Sequence, residues 1–387
     1  MTNFSSPQEP RQSINADLIG VPGGALQLVT PALVIDLAAM RENLHRMTRQ
    51  CRDAGMALRP HGKTHKCSVI AREQIAAGAV GICATTGREA IAYSRAGLPG
   101  LLVTTPIVQR AHIETLATLH RRGADITLIF DTAENIVEWE AALTGAERLL
   151  PAFVDLDLGM GRTGAASISA AVELARRLHG SSALTYAGLQ AYSGRVQHIL
   201  SYTERRAVYL KQIERLRQTL AALEAAALRP PVVSGGGTGT FAIDVEHGLY
   251  TESQAGSYAL MDVDYDVVEL FPDRANPYRF ALYLRTSVVS ANQPHHVSIN
   301  AGFKSLSTDG PLPRVRSGQW PGAAYDFFGD EFGLIALAEG APRPTVGDLV
   351  DIEVSHCDPT INLHDYFHVL DGDTVVDIWP VDARGVL

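Results

Sequence analysis

From Pro31 to about Asp262 the chain alternates short aliphatic or β-branched runs with longer amphipathic stretches, and this alternation restricts its fold more than any other feature. "ALVID" at 32–36 leads into a helix whose apolar positions Leu37, Met40, Leu44, Met47 and Cys51 step by three and four. Asp36 is placed to cap that helix and Gly55 to stop it. Further strands are expected in a run ending at Arg59-Pro60 and at 81–86, 101–105, 126–131, 151–157, 186–192 and 230–236, with helical spans such as 202–226 between them. About eight such units predict an α/β fold, a (β/α)8 TIM barrel over residues 31–268. A doubly wound open sheet shows the same alternation and competes with it.

Beyond about residue 270 the texture changes. "YRFALYLRTSVVSA", "HHVSINAG", "DLVDIEVSH" and "DTVVDIWPV" read as strands joined by Gly, Pro and Asp turns, so a β-rich domain is expected over 269–387. The leader, 1–30, is short and placed to add a strand to that domain. A chain of 387 residues has room for both. Its formal charge of -9 argues against a nucleic-acid surface, which needs a basic footprint. The four cysteines form no CxxC pair, no run approaches a membrane span, and the first twenty residues lack the pattern of a secretory signal; a cytoplasmic protein is expected.

In such a barrel chemistry gathers at the C-terminal ends of the strands. "SGGGTGT" follows a late apolar strand, where Gly235, Gly236 and Gly237 let backbone amides approach a phosphate and Ser234 and Thr238 add hydroxyls; the bland alternative is a flexible turn. No Lys follows the glycines, so this is not a Walker loop. "QAGSYALMD" offers Gly256, Ser257 and Tyr258 to close the cradle. "DLDLGMGRTG" presents Arg162 from a glycine loop, suited to a phenolate or oxyanion unless it pairs with a rim aspartate. "QAYSGRVQH" places Tyr192 for ring stacking and His198 for proton transfer, although a lone Tyr or His is often structural. "LRPHGKTHKC" concentrates His61, Lys63, His65 and Lys66 behind a strand end. "SHCDPT" holds His356 and Asp358 two apart; on an extended strand they share a face, a weak metal signal by itself.

A barrel, a phosphate loop and an early strand-end lysine together point to pyridoxal phosphate held as a Schiff base on Lys63, with Arg162 toward the ring hydroxyl and Tyr192 on the ring face. A barrel enzyme acting on phosphorylated sugars through the same loop and lysine is the rival.

The same motifs, with "HCDPT" and the closing "WPVDARG", resemble the D-threonine aldolase and D-serine dehydratase group, whose barrel is of the alanine racemase N-terminal type. The resemblance runs from about residue 30 to the end and is nearest to the 3-hydroxy-D-aspartate and D-threonine aldolases. It implies a fold-type III enzyme, usually a homodimer, with Lys63 as the Schiff-base lysine and a divalent ion on His356 and Asp358. Nitrogen and oxygen ligands admit manganese, magnesium, cobalt or zinc. In this group H-x-D leans toward aldol cleavage and H-x-C toward dehydration. The implied reaction is therefore cleavage of a D-3-hydroxy amino acid to glycine and an aldehyde, with His198 taking the hydroxyl proton. The alternatives are a dehydratase, giving a 2-oxo acid and ammonia with Lys63 as base, and a non-catalytic cofactor-binding barrel. One departure bears on the substrate: where relatives commonly read Glu-His-Gly, this chain has Phe332 after Glu331.

Overall fold

The computed structural model describes residues 13–273 and 276–385. Its strands in chain order are β1 (Ala32–Asp36), β2 (Ala57–Leu58), β3 (Ile82–Ala84), β4 (Leu101–Val103), β5 (Ile126–Phe130), β6 (Leu150–Asp157), β7 (Leu184–Tyr192), β8 (Val232–Gly235) and β9 (Glu252–Ser253). After them come β10 (Leu282–Ser290), β11 (His296–Ile299), β12 (Arg314–Val315), β13 (Ala324–Phe327), β14 (Gly333–Ala336), β15 (Leu349–Glu353), β16 (Tyr366–Asp371) and β17 (Thr374–Pro380).

Strands β2 to β9 form one parallel sheet in the order β2-β9-β8-β7-β6-β5-β4-β3. The sheet curls until its edges meet: Val80 and Cys83 donate amides to Leu58 O and Pro60 O, each at 2.8 Å, and His61 bridges Cys83. This is the expected alanine racemase-type barrel, wrapped by amphipathic helices such as Leu37–Asp53, whose Asp36 cap accepts from the Ala39 amide and whose exit turns through Gly55 at φ 66°.

Two strand assignments change. Ala32–Asp36, expected as the first barrel strand, lies in the other sheet, antiparallel to β10 and parallel to β16. The eighth barrel strand is Glu252–Ser253, which closes the ring between β8 and β2. It carries no apolar residue because its buried Glu252 receives Arg59 at 2.8 and 2.9 Å and the Ser234 hydroxyl at 2.6 Å.

The second sheet, mixed and nine-stranded, runs β13-β14-β11-β10-β1-β16-β17, with β15 between β10 and β12. Leader residues from Ser13 onward lie against it, Ile19 bridging Val375 and Asn15 bonding His368 at 3.0 Å; residues 1–12 of the expected leader fall outside the described residues. The two sheets are stitched where the barrel ends. Val263 and Asp264 donate amides to Val354 O and Ser355 O at 3.0 Å, and Asp262, fully buried, accepts the Cys357 amide at 2.8 Å. This seam brings the residues after β15 to the barrel mouth. Among the described residues no helix is long and apolar enough to cross a membrane.

Candidate active site

After β2 the chain makes a single 3-10 turn, Gly62–Thr64. Gly62 is required there, because a Cβ would stand 2.7 Å from the Tyr93 hydroxyl, which donates to Gly62 O at 2.9 Å. His61 Nδ1 accepts the Lys63 amide at 3.4 Å, and its Nε2 faces Thr104 Oγ1 at 3.0 Å, whose proton goes to Ala84 O. That pattern assigns a neutral imidazole protonated on Nε2; burial, with the Lys63 charge adding to it, pushes its pKa down to about 3.

Lys63 reaches across the mouth, and its Nζ donates to Asp358 Oδ1. Burial acts to lower the lysine pKa, but the Asp358 carboxylate outweighs it and holds the ammonium above its ordinary value. Lys63 lines a cavity of about 140 Å3 together with His61, Thr85, Thr104, Thr105, Arg162, Gln190, Tyr192 and Gln254. Arg162 is presented by a loop wound on Asp157, whose Oδ1 accepts the amides of Gly159, Met160 and Gly161 at 2.8 to 3.1 Å; its guanidinium lies 6.0 Å from the Tyr192 ring centre. Beneath them Gln254 donates to Gln190, and Gln190 donates to Asp155, whose carboxyl burial pushes up to about 6.

Asp358 joins this cavity to a second group. His356 Nε2 stands 3.6 Å from Asp358 Oδ2, an oxygen buried without a hydrogen-bond partner, while His356 Nδ1 meets Asp309 Oδ2 at 2.8 Å. The convergence does not come from an extended strand, as the spacing suggested. β15 has ended at Glu353; His356 precedes the short helix Cys357–Ile361, Asp358 lies in its first turn, and Cys357 turns back into the core toward Met261 O. His198 stands nearby, its Nδ1 on Asp264 Oδ2 at 2.9 Å, its ring 4.7 Å from Tyr265 and 6.4 Å from His356.

The glycine loop lies on the barrel side. Gly236, Thr238, Gly256 and Ser257 are buried, and none of their amides donates to another described group. Buried amides normally find acceptors. The two loops carrying them are tied by the Tyr258 amide, which donates to Thr238 Oγ1 at 3.2 Å. Three expected donors are placed otherwise. Ser234 gives its hydroxyl to Glu252; the Gly237 amide goes to Thr240 Oγ1 at 3.1 Å; and the Tyr258 ring is buried against Tyr278, 5.9 Å between centres. His65 and Lys66 are structural: His65 is fully buried between Gln74 and the Cys67 amide, and Lys66 ties Asn362 and Gly385 O to the barrel.

Asp264, Asp309 and the Gln190–Gln254 pair had no local sequence signal. Each sits far along the chain from the group it serves. Phe332, on the turn between β13 and β14, is 46 % exposed.

A parallel barrel with a lysine and a glycine loop at its mouth, closed by a β-sheet domain, is the alanine racemase fold. The comparisons carry this further. The model described as "Alanine racemase, N-terminal domain" matches residues 35–263, and one described as "Putative serine dehydratase domain" matches 281–370. The chain is 35% identical over 377 residues, 96% of each chain, to a 3-hydroxy-D-aspartate aldolase of Paracoccus denitrificans. It superposes on a D-threonine aldolase from Filomicrobium marinum with a TM-score of 0.87, at 35% identity, covering 94% of this chain and 97% of that one. A D-threo-3-hydroxyaspartate dehydratase from Delftia sp. HT23 gives 0.80 at 26% identity, covering 92% and 98%. The chain belongs to the alanine racemase N-terminal domain family, within the fold-type III pyridoxal phosphate group related to these aldolases and dehydratases, and is a lyase.

The residues fit the groups that this membership implies. Among the described residues the amides of Gly236, Thr238, Gly256 and Ser257 are buried without an acceptor on two loops tied by the Tyr258–Thr238 bond, the kind of donor set an anion cradle needs. The unpartnered Asp358 Oδ2 and His356 Nε2, 3.6 Å apart, have the chemistry and spacing of two ligands to one divalent ion. Among the described residues no group of three such side chains forms a larger metal cluster.

Proposed function

We propose that this lyase is an aldolase that cleaves D-3-hydroxy amino acids, of the D-threonine or 3-hydroxy-D-aspartate type, to glycine and an aldehyde. The observation that carries the reading is the Asp358 carboxylate. One oxygen holds Lys63 and the other faces His356, so the lysine and the metal pair form a single site rather than two.

Lys63 would carry pyridoxal phosphate, with Gly236, Thr238, Gly256 and Ser257 donating to its phosphate and Arg162 and Tyr192 facing the ring. The cofactor, when bound, supplies an electron sink for the bond broken at the substrate Cα. His356 and Asp358 would hold the divalent ion, whose chemistry is to acidify the β-hydroxyl. His198 donates Nδ1–H to Asp264, which leaves Nε2 as the acceptor for the hydroxyl proton. Asp358 in the H-x-D pair favours aldol cleavage. The 0.80 TM-score to a dehydratase supports a second reading, loss of ammonia with Lys63 as base. A homodimer accords with the exposed aromatic face formed by Phe303, Phe328 and Phe332 on the β-sheet domain.

Incubation with D-threonine and with 3-hydroxy-D-aspartate, with and without chelator, tests the assignment. Chelator-sensitive release of glycine and aldehyde is expected. Ammonia with a 2-oxo acid would establish the dehydratase instead.

A further inference from the structure

Behind the glycine loop lies a buried carboxyl that the reaction does not use. Asp244, on the helix Phe241–His247, is 2 % exposed, and a Cβ on Gly236 would stand 2.3 Å from its Oδ2. The carboxyl is therefore packed directly against the backbone that is to hold the cofactor phosphate.

Its hydrogen bonds have a proton count that fixes its charge. Asp244 Oδ1 meets the Tyr209 hydroxyl at 2.9 Å, Tyr209 meets the Tyr250 hydroxyl at 3.0 Å, and Tyr250 meets Ala191 O at 3.0 Å. Those are three contacts in a row. A carbonyl only accepts, and the two phenols bring two protons to three contacts. An ionised Asp244 would take the Tyr209 proton and leave one contact of the row without a proton, whereas a protonated carboxyl donating to Tyr209, with Tyr209 donating to Tyr250 and Tyr250 to Ala191 O, fills all three. The other oxygen behaves as the carbonyl of an acid should. Thr240 Oγ1 accepts from the Gly237 amide and from Gln197, so its own proton is directed to Asp244 Oδ2 at 2.8 Å. Among the described residues no Lys, Arg or His forms an ion pair with Asp244, and an ionised carboxylate in this place would have no counter-charge.

We propose that Asp244 is a positioning residue carried as a neutral carboxylic acid, which braces the phosphate loop without setting a negative charge behind a phosphate dianion. Burial acts in the same direction and pushes its pKa up to about 7, against the Thr240 hydroxyl and the Gly237 amide, which favour the charged form. The neighbours Glu246 and His247 lie on the same short helix, and Glu246 is engaged by Arg206. The role at the phosphate rests on the reading of Gly236–Thr238 as the cofactor cradle; the protonation does not.

Two measurements on the full-length protein separate these. Isotope-edited infrared spectroscopy at pH 6 should show a protonated-carboxyl C=O band that is missing in Asp244→Asn and shifts to higher frequency in Tyr209→Phe, where the acid proton loses its acceptor. Absence of the band, or no shift in Tyr209→Phe, overturns the proton assignment, and Tyr209→Phe decides this even where Asp244→Asn does not fold. Equilibrium titration with pyridoxal phosphate should give an affinity for Asp244→Asn within about threefold of the unaltered protein, because the amide is neutral and donates as the acid does, and about tenfold weaker binding for Asp244→Ala. Equal losses in Asn and Ala would show that a charged carboxylate is needed and overturn the proposal. If the unaltered protein takes up no pyridoxal phosphate, the cradle reading fails, while the infrared band still decides the protonation.

Discussion

Replacing Lys63 by Met separates the chemical role of the lysine from its electrostatic one. The side chain keeps its length and loses its charge, so Asp358 Oδ1 is left without its Lys63 partner, and the carboxylate keeps only His356, 3.6 Å from Oδ2, as a facing cationic group among the described residues. Removing one member of a fully buried ion pair costs about 3–5 kcal/mol. Here the Asp358 side chain is 15 % exposed, but that of Lys63 is 37 % exposed, so solvent screening reduces the figure to about 2 kcal/mol. The Asp358→Asn change in the same background removes the stranded charge. The double variant should therefore recover most of the loss, with a coupling of about 2 kcal/mol in a double-mutant cycle.

Urea unfolding of the four proteins in chelator measures the cycle, and the visible absorption of added pyridoxal phosphate measures the chemistry. Both lysine variants should lack the bound-cofactor absorption, whatever their stability. Millimolar divalent ion should restabilise Lys63→Met but not the double variant, since the ion needs the carboxylate. A coupling near zero would refute the electrostatic argument. Retained cofactor absorption in Lys63→Met would refute the assignment of the lysine.

Three further outcomes follow from the same geometry. Gly236→Ala places a side chain at φ 67° and 2.3 Å from Asp244 Oδ2, so pyridoxal phosphate should bind at least about tenfold more weakly, from about 1–2 kcal/mol of left-handed strain before any displacement of the acid; titration checks this. Asp309→Asn weakens the contact that fixes His356 with Nδ1 protonated and Nε2 toward Asp358, and should lower divalent-ion affinity about 10–100-fold by calorimetry while cofactor absorption is kept. For Asp244 the folded pKa of about 7 lies above the unfolded value of about 3.9, so the folded state holds the extra proton between them and stability falls as pH rises. From pH 5 to 7 that slope amounts to about 2–3 kcal/mol; Asp244→Asn lacks it, and parallel stability curves for the two proteins would contradict the shift.

Alternation was enough to expect the barrel because amphipathic helices between short apolar strands have few other ways to cover both faces of a sheet. It could not say which sheet a given strand joins. Ala32–Asp36 is buried between β10 and β16 and carries the same aliphatic run that a barrel strand would. Glu252–Ser253 shows the converse, since hydrophobic pattern cannot reveal a strand whose burial depends on Arg59, a partner 193 residues away. Asp264 and Asp309 escaped for the same reason. Their meaning lies in His198 and His356, 66 and 47 residues away along the chain, which the tertiary fold brings to 2.9 and 2.8 Å.

The glycines of "SGGGTGT" have a different physical cause in the structure from the one their sequence suggests, which is to make room for a phosphate. In the structure a Cβ at Gly235 would meet Ala191 O at 2.0 Å, at Gly236 Asp244 at 2.3 Å, and at Gly237 Gln197 at 2.6 Å, so the room is already taken by protein. The loop is held from behind by an acid, two tyrosines, a threonine and a glutamine, and this leaves the amides of Gly236 and Thr238 buried and unpartnered. A buried anion site needs such backing, because amides that could swing to other acceptors would not stay aimed at one phosphate. The glycines are thus required by the bracing network itself, and Tyr209 and Gln197 belong to the same structural unit as the loop they hold.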